Sequence, residues 1–173
     1  MLLLECRNIR KSFRDRLIVE MNELLVYSND RIGVVGVNGA GKTTLLNILC
    51  KRIEPDDGFV RIHSEYSFIS QLEQPESKQI NREMASKWRV ADTWDETMSG
   101  GEKTRFKLAQ NFENSRMLTF ADEPTSCLDL EGIELLESSF ADYCGGLVLV
   151  SHDRSLLDSL CTNILEIENG KVK

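Results

Sequence analysis

The sequence predicts an α/β fold built around a mostly parallel sheet. Short apolar runs alternate along the chain with amphipathic stretches, which is the pattern of strands that alternate with helices. Hydrophobic residues make up 41% of the 173 residues and charged residues 28%, as in ordinary globular proteins. A chain of this length can bury enough surface for a core of its own. We therefore expect a single domain over residues 1–173.

The first 70 residues are predicted to form five strands and one helix. Apolar runs, several of them β-branched, predict strands over residues 2–7, 17–27, 31–37, 59–63 and 66–70. A glycine-rich loop follows the third of these strands, and apolar residues at helical spacing then predict a helix over residues 42–52. We expect the strands over 59–63 and 66–70 to form a small antiparallel piece of sheet.

The second part of the chain is predicted to continue the alternation. Residues 72–98 are the most polar stretch and hold one short predicted helix, over residues 80–88. Further helices are predicted over residues 100–112, 131–140 and 154–161, and strands over residues 117–121, 147–150 and 163–167. Asn169-Gly170 is a hairpin signal with only three residues after it. From this interrupted hairpin we expect the chain to be a piece of a longer protein.

Charge, apolar runs and cysteines restrict the possible partners and compartments. The net charge of −7 makes sequence-independent nucleic-acid binding unfavourable, because such binding relies on Lys and Arg that neutralise phosphates, and we expect no direct contact with DNA. No apolar run approaches the roughly 20 residues of a membrane-spanning helix. The five cysteines are widely spaced and include no C-x-x-C, which favours reduced thiols and a cytoplasmic protein.

The strongest chemical signal lies in residues 36–43. They read Gly-Val-Asn-Gly-Ala-Gly-Lys-Thr and fit the pattern G-x-x-x-x-G-K-[ST] at every fixed position. Glycines let backbone N–H groups wrap phosphate oxygens, and a helix that begins near Lys42 adds the positive end of its dipole. Lys42 is predicted to reach the β- and γ-phosphates, and the Thr43 hydroxyl to bind Mg²⁺. The alternative is a glycine-rich turn with a chance lysine. The predicted nucleotide contacts here are Gly36, Asn38, Gly39, Ala40, Gly41, Lys42, Thr43 and Thr44.

A second signal stands at the end of the predicted strand over residues 117–121. Two carboxylates, Asp122 and Glu123, follow this apolar run. Beside a phosphate site, Asp122 can hold the metal through water, and Glu123 can act as the general base that polarises the attacking water. The alternative is an Asp-Glu pair that caps a helix after a strand.

A third signal is the tetrapeptide Ser99-Gly100-Gly101-Glu102, which precedes a predicted helix. Two glycines and a serine at a helix N-terminus can form a second anion cradle. Two cradles in one chain are redundant unless they act on the same phosphate from opposite sides, which suggests a composite site between two domains. The alternative is a capping box, because the segment also fits S-x-x-E.

Together these motifs resemble the nucleotide-binding domain of ABC ATPases, in the family's order and spacing from Phe13 to His152. The resemblance implies a P-loop NTPase of the ABC type that uses ATP and Mg²⁺. It implies that Phe13 stacks on adenine, that Gln71 approaches Mg²⁺ and the attacking water, and that His152 touches the γ-phosphate. Residues 126–129 resemble the loop that links the two sites of a dimer. The alternatives are a core phenylalanine, a surface glutamine and a structural histidine.

The resemblance also implies a partner. In ABC dimers the ATP bound at one cassette is closed over by the signature of the other, so Ser99, Gly100, Gly101 and Glu102 are expected to serve in trans. The second cassette is expected in the same protein or in a homodimer. A single cassette should bind ATP but hydrolyse it weakly. The predicted catalytic residues are Lys42, Gln71, Glu123 and His152. The predicted metal ligands are Thr43, Gln71 and Asp122.

Two branches of the family compete. Only 27 residues separate Gln71 from Ser99, which implies a reduced helical subdomain and favours an ABC-F protein over a transporter. Residues 99–105 and 151–154 also resemble the ABC-F forms, and the chain resembles the N-terminal cassette of antibiotic-resistance members that act on the ribosome. Three residues, Ser126, Cys127 and Ala121, depart from the commoner ABC-F residues. The competing branch is the nucleotide-binding subunit or domain of a membrane transporter, and a third alternative is a DNA-repair or chromosome-structure ABC head.

Overall fold

The chain's computed structural model describes residues 1–70, 74–114 and 116–173. Within these ranges it forms nine strands and five helices. The strands are β1 (Leu2–Phe13), β2 (Arg16–Tyr27), β3 (Arg31–Val35), β4 (Asp57–Ile62), β5 (Tyr66–Ile69), β6 (Leu118–Asp122), β7 (Gly146–Val150), β8 (Asn163–Glu168) and β9 (Lys171–Val172). The helices are α1 (Lys42–Leu49), α2 (Arg82–Trp88), α3 (Gly100–Asn114), α4 (Leu130–Ala141) and α5 (Arg154–Leu160).

The strands form one mixed sheet in the order β4-β1-β2-β9-β8-β3-β7-β6-β5. The five strands from β8 to β5 in this order are parallel to one another, and β1 pairs antiparallel with both β2 and β4. A mostly parallel core with a smaller antiparallel part, as predicted, is therefore confirmed. The ends of β3, β6 and β7 lie at one edge of the sheet, which is where parallel α/β sheets bind ligands.

The predicted pairing of the fourth and fifth strands is wrong. β4 pairs antiparallel with β1, whereas β5 pairs parallel with β6, with Phe68 opposite Phe120. The link over residues 63–65 is short enough for a hairpin, but it joins strands at opposite ends of the sheet order. Tyr66 explains the placement, because its ring packs edge-on against Phe120 and its hydroxyl donates to the carbonyl of Cys50. This packing holds β5 in the parallel core.

Helices cover both sides of the parallel strands. On one side α1 is buried between the core strands and the antiparallel part, with Leu45, Leu46, Ile48 and Leu49 fully buried. On the other side α2 to α5 pack in a second cluster that includes Trp88, Phe106 and Phe140. α1 ends three residues earlier than predicted, because Lys51 adopts a positive φ of 61° that a helix cannot continue through.

The remaining segments follow the local chemistry. Between β5 and α3, the described residues contain one helix, the seven-residue α2. Asn169 and Gly170 both have positive φ and close the predicted hairpin between β8 and β9. Of the helices described, none is both long enough and apolar enough to cross a membrane.

Candidate functional site

The loop between β3 and α1 wraps around the ammonium group of Lys42. This group donates to the carbonyl oxygens of Gly36 at 2.9 Å and Val37 at 3.2 Å, and only 8% of the residue is exposed. Gly41 caps α1 with a φ of 108°. A Cβ atom on Gly41 would lie 2.8 Å from the carbonyl oxygen of Ile18, so the loop can close only with glycine at this position.

The loop forms one wall of a cleft of about 390 Å³. The opposite wall comes from the ends of β6 and β7, which are adjacent in the sheet. The cleft is lined by Phe13, Ile18, Asn38, Gly39, Gly41, Lys42, Thr43, Thr44, Asp122, Glu123, Val150 and His152. Residues predicted from four separate segments of the sequence thus meet in one place. A cleft of this size fits the 300–1,000 Å³ range of small-molecule sites.

Two predicted loop residues do not line this cleft. Gly36 lies beneath the loop, where its carbonyl accepts from Lys42 and a Cβ atom would lie 2.8 Å from the carbonyl oxygen of Ile167. Ala40 instead lines a neighbouring cavity of about 280 Å³ on the other side of the loop, together with Asn38 and Gly39. The structure therefore gives these two residues a part in shaping the loop.

The oxygen donors in the cleft suit Mg²⁺. The Thr43 hydroxyl and the Asp122 carboxylate both line it, and Mg²⁺ bound with nucleotides uses one or two protein oxygens and keeps several waters. No cluster of three or more His, Cys, Asp or Glu side chains suited to a metal occurs among the described residues, so a site formed by protein ligands alone is not indicated in that part of the chain. Gln71, the third predicted metal ligand, lies outside the described residues.

Glu123 is fixed by backbone and side-chain contacts. Its N–H donates to the carbonyl of Val150 at 2.9 Å, and its φ of 49° turns the chain sharply at the end of β6. His152 follows β7, and its backbone N–H donates to Glu123 Oε2 at 3.3 Å. Glu123 Oε1 is buried and accepts no hydrogen bond from the part of the chain that the structure describes, although His152 Nε2 lies 3.4 Å away. A carboxylate held in this way beside a phosphate loop is suited to take a proton from a water in the cleft.

The aromatic residue predicted from the resemblance also lies at the cleft. Phe13 ends β1, is 50% exposed, and has the Lys11 ammonium 5.7 Å from its ring centroid. Sequence reasoning missed Ile18, which lines the same cleft. No local pattern marks Ile18, because its place at the cleft depends on the pairing of β1 with β2, in which Phe13 lies opposite Arg16. Ile18 adds an apolar wall next to the exposed ring.

The signature segment lies elsewhere. Ser99 Oγ and its backbone N–H both donate to Glu102 Oε2, at 2.7 and 2.8 Å, and the Glu102 N–H donates back to Ser99 Oγ. These bonds form the capping box that the sequence allowed, and they hold the pKa of Glu102 below its usual range. The residues that line the cleft come from other segments and include none of 99–102. One chain therefore does not bring its two predicted anion cradles together.

Curated proteins with similar sequences cover nearly the whole chain. It is 32% identical over 169 residues to the erythromycin resistance ATP-binding protein MsrA of Staphylococcus epidermidis, and 30% identical over 199 residues to the energy-dependent translational throttle protein EttA of Escherichia coli K12. It is 31% identical over 173 residues to the ribosome protection protein VmlR of Bacillus subtilis. These matches cover 95%, 99% and 94% of the chain but 35%, 36% and 30% of the relatives, so it spans about a third of their length.

A family model and solved structures agree with these matches. The model described as ABC transporter matches residues 20–89. The ATP-binding subunit of an ABC transporter aligns with a TM-score of 0.81 at 20% identity, over 99% of this chain and 88% of that one. A dimeric ATP-binding cassette in a post-hydrolysis state with ADP and Pi aligns with a TM-score of 0.79 at 18% identity, over 99% and 97%. With the cleft geometry, these findings show that residues 20–89 match the ABC transporter family and that the chain is similar over nearly its whole length to these relatives and, in fold, to ATP-binding cassettes.

Proposed function

We propose that this cassette binds ATP together with Mg²⁺ and hydrolyses it. The observation that carries the proposal is the cleft in which Lys42, Thr43, Asp122, Glu123 and His152 converge. These residues supply the positive charge, the metal-binding oxygens and the base that phosphoryl transfer to water requires.

Each side chain has a distinct part in the proposed reaction. Lys42 and the loop N–H groups hold the phosphates, and the exposed ring of Phe13 stacks on the adenine of ATP. Thr43 and Asp122 would hold Mg²⁺, which neutralises phosphate charge when it is bound. Glu123 accepts a proton from the water that attacks the γ-phosphorus, and the bond to the bridging oxygen of ADP breaks. His152 orients the carboxylate of Glu123.

A second cassette is required for efficient turnover in this proposal. The residues at the start of α3 do not line the cleft of their own chain. They can stabilise negative charge on ATP only if another cassette presents its cleft to them. The dimeric structural neighbour supports the pairing, which can occur within one protein or between two copies.

We further propose that the complete protein is a cytoplasmic ABC-F protein that acts on the ribosome and confers antibiotic resistance. The names of the relatives MsrA, EttA and VmlR support this assignment. Among the described residues between β5 and α3, α2 is the single helix, and this also supports the assignment, since those residues offer little structure to contact a membrane domain. A transporter motor is the second candidate, favoured by the structural neighbour that is the ATP-binding subunit of an ABC transporter.

Sedimentation of an ATP-trapped variant separates these two candidates. The full-length protein that carries this cassette is expressed with Glu123→Gln, and a lysate supplied with ATP is fractionated. Co-migration with ribosomes, lost when ATP is withheld, is the expected result. Recovery in the membrane pellet with ribosomes free of the protein would instead establish the transporter candidate.

A further inference from the structure

The signature helix α3 touches the segment before α4 at two points. Gly101 and Arg105 are four residues apart and therefore lie on the same face of α3. A Cβ atom on Gly101 would lie 3.0 Å from the carbonyl oxygen of Cys127. One turn later, Arg105 donates a hydrogen bond from Nη2 to Asp129 Oδ1. The helix that begins with the signature is thus joined to residues 127–129.

The Arg105–Asp129 ion pair is anchored on both sides. The Arg105 side chain is only 12% exposed, although that of Asp129 is 65% exposed. Asp129 is the N-cap of α4, and its Oδ1 also accepts from the N–H of Gly132 at 3.0 Å. The hydrogen bond from Arg105 and then that from Gly132 hold the pKa of Asp129 below its usual range. One carboxylate oxygen therefore ties the start of α4 to α3.

The sequence around the pair leaves room for the guanidinium. Gly132 lies in the first turn of α4, where alanine is intrinsically favoured over glycine. A Cβ atom there would lie 3.0 Å from Asp129 Oδ1 and 3.3 Å from Arg105 Nε. The glycine thus lets the planar guanidinium lie against the helix while it reaches the carboxylate, an arrangement that the round ammonium of lysine does not reproduce.

A short, hydrogen-bonded segment connects this pair to the base Glu123. Ser126 Oγ donates to the carbonyl of Glu123 at 2.8 Å, and the N–H of Leu128 donates to the carbonyl of Thr125 at 3.0 Å. Few residues therefore separate Asp129 from Glu123, and hydrogen bonds hold the segment between them. Asp129 contacts α3 at one side and leads to Glu123 at the other.

We propose that Arg105 is a positioning residue that acts through Asp129. It fixes the signature residues, which serve the ATP of the second cassette, relative to the segment that carries the base of its own cassette. This inference rests on the proposed function, because it assigns Arg105 a part in ATP hydrolysis by paired cassettes. Both ATP sites of the pair depend on this contact, one through residues 99–102 and the other through Glu123.

The chain offers a matched control. Arg89, the C-cap of α2, donates to Glu131 in the first turn of α4 and so forms a second arginine–carboxylate pair on the same helix. Its side chains are 65% and 51% exposed, and exposed pairs contribute little. Arg89→Ala removes the same kind of side chain from a second contact with α4 and leaves the contact between α3 and residues 127–129 in place.

The test is the steady-state ATP hydrolysis of the full-length protein. Arg105→Ala is expected to lower kcat by on the order of 10²-fold through misplacement of the reacting groups. The KM for ATP stays within about twofold, since the phosphate loop is untouched. Arg105→Lys keeps the charge and loses part of the activity, whereas Arg89→Ala leaves kcat and KM at their original values.

A double-mutant cycle separates positioning from general destabilisation. If Arg105 acts through Asp129, Asp129→Ala lowers kcat to a similar extent, and the double variant is no worse than either single variant at a temperature where all remain folded by circular dichroism. An unchanged kcat in Arg105→Ala, fully additive losses, or an equal loss in Arg89→Ala would each overturn the proposal. Failure of the proposed function would give a different result. ATP hydrolysis would then persist in Glu123→Gln, whatever the effect of the Arg105 variants.

Discussion

Glu123 and His152 face each other across the ends of two neighbouring strands. The imidazole Nε2 lies 3.4 Å from Glu123 Oε1, while the backbone N–H of the same histidine donates to Glu123 Oε2. β6 and β7 are parallel neighbours with Asp122 opposite Val150, so residues just beyond both ends must lie close together. One residue therefore contacts both oxygens of the proposed base, and the orientation of the base depends on the segment after β7.

Glu123→Gln should stop turnover while leaving nucleotide binding intact. The amide keeps the size of the side chain and can still accept from the His152 N–H, but it cannot take a proton from water. We expect steady-state hydrolysis to fall by at least 10²-fold, the usual contribution of a general base. The dissociation constant of ATP, measured with a fluorescent analogue, should change little.

The control for this variant is Glu131→Gln, on an exposed side chain in α4. It removes a negative charge of the same type and should leave hydrolysis unchanged. Hydrolysis that continues at the original rate in Glu123→Gln would remove this residue from the role of base.

Gly41→Ala should abolish nucleotide binding, and Gly39→Ala should weaken it only modestly. Both glycines have positive φ, of 108° and 75°, so each alanine carries a backbone strain of about 1–2 kcal/mol. Only at Gly41 would the added carbon lie 2.8 Å from the carbonyl of Ile18, whereas nothing lies within 4 Å at Gly39. Isothermal titration calorimetry with ATP measures the dissociation constants of both variants. Equal affinities for the two variants would contradict the argument from space.

Phe13→Ala should weaken the binding of ATP more than that of inorganic triphosphate. The ring lines the cleft and is half exposed, so it is available to stack on a base, and a stacking contact is worth about 1–3 kcal/mol. The matched control is Phe59→Ala, since Phe59 is 38% exposed and lies on β4, outside the residues that line the cleft. Equal loss of affinity for ATP and triphosphate would argue against adenine stacking.

The residues of the cleft were predictable because its motifs are local. The pattern over residues 36–43 and the strand before Asp122 could each be read from adjacent positions, and the edge where parallel strands end then brings them together. β5 was misplaced because its register depends on Tyr66 packing against Phe120, 54 residues later in the sequence. The Arg105–Asp129 contact was missed for the same reason, since neither residue belongs to a local pattern that predicts the other.

Cys6 should make the protein less stable at alkaline pH. Burial raises the pKa of its thiol from 9.0 to about 12, and the residue is fully buried in β1. The folded state holds the thiol proton more tightly than the unfolded chain does. The contribution of this thiol to the unfolding free energy is therefore fully present below pH 9 and is lost as the pH rises from 9 to 12. By linkage the loss reaches about 1.4 kcal/mol at pH 10. The loss is measured as the difference between the free energies of unfolding in urea at pH 8 and at pH 10.

Two variants isolate the contribution of this thiol from other alkaline titrations. Cys6→Ala leaves a small cavity whose cost does not depend on pH, so the difference in unfolding free energy between the original protein and this variant should shrink by about 1.4 kcal/mol from pH 8 to pH 10. Cys144→Ala, which alters an exposed cysteine between α4 and β7, serves as the control. A difference for Cys6→Ala that is the same at both pH values would mean that the thiol does not resist ionisation in the folded state.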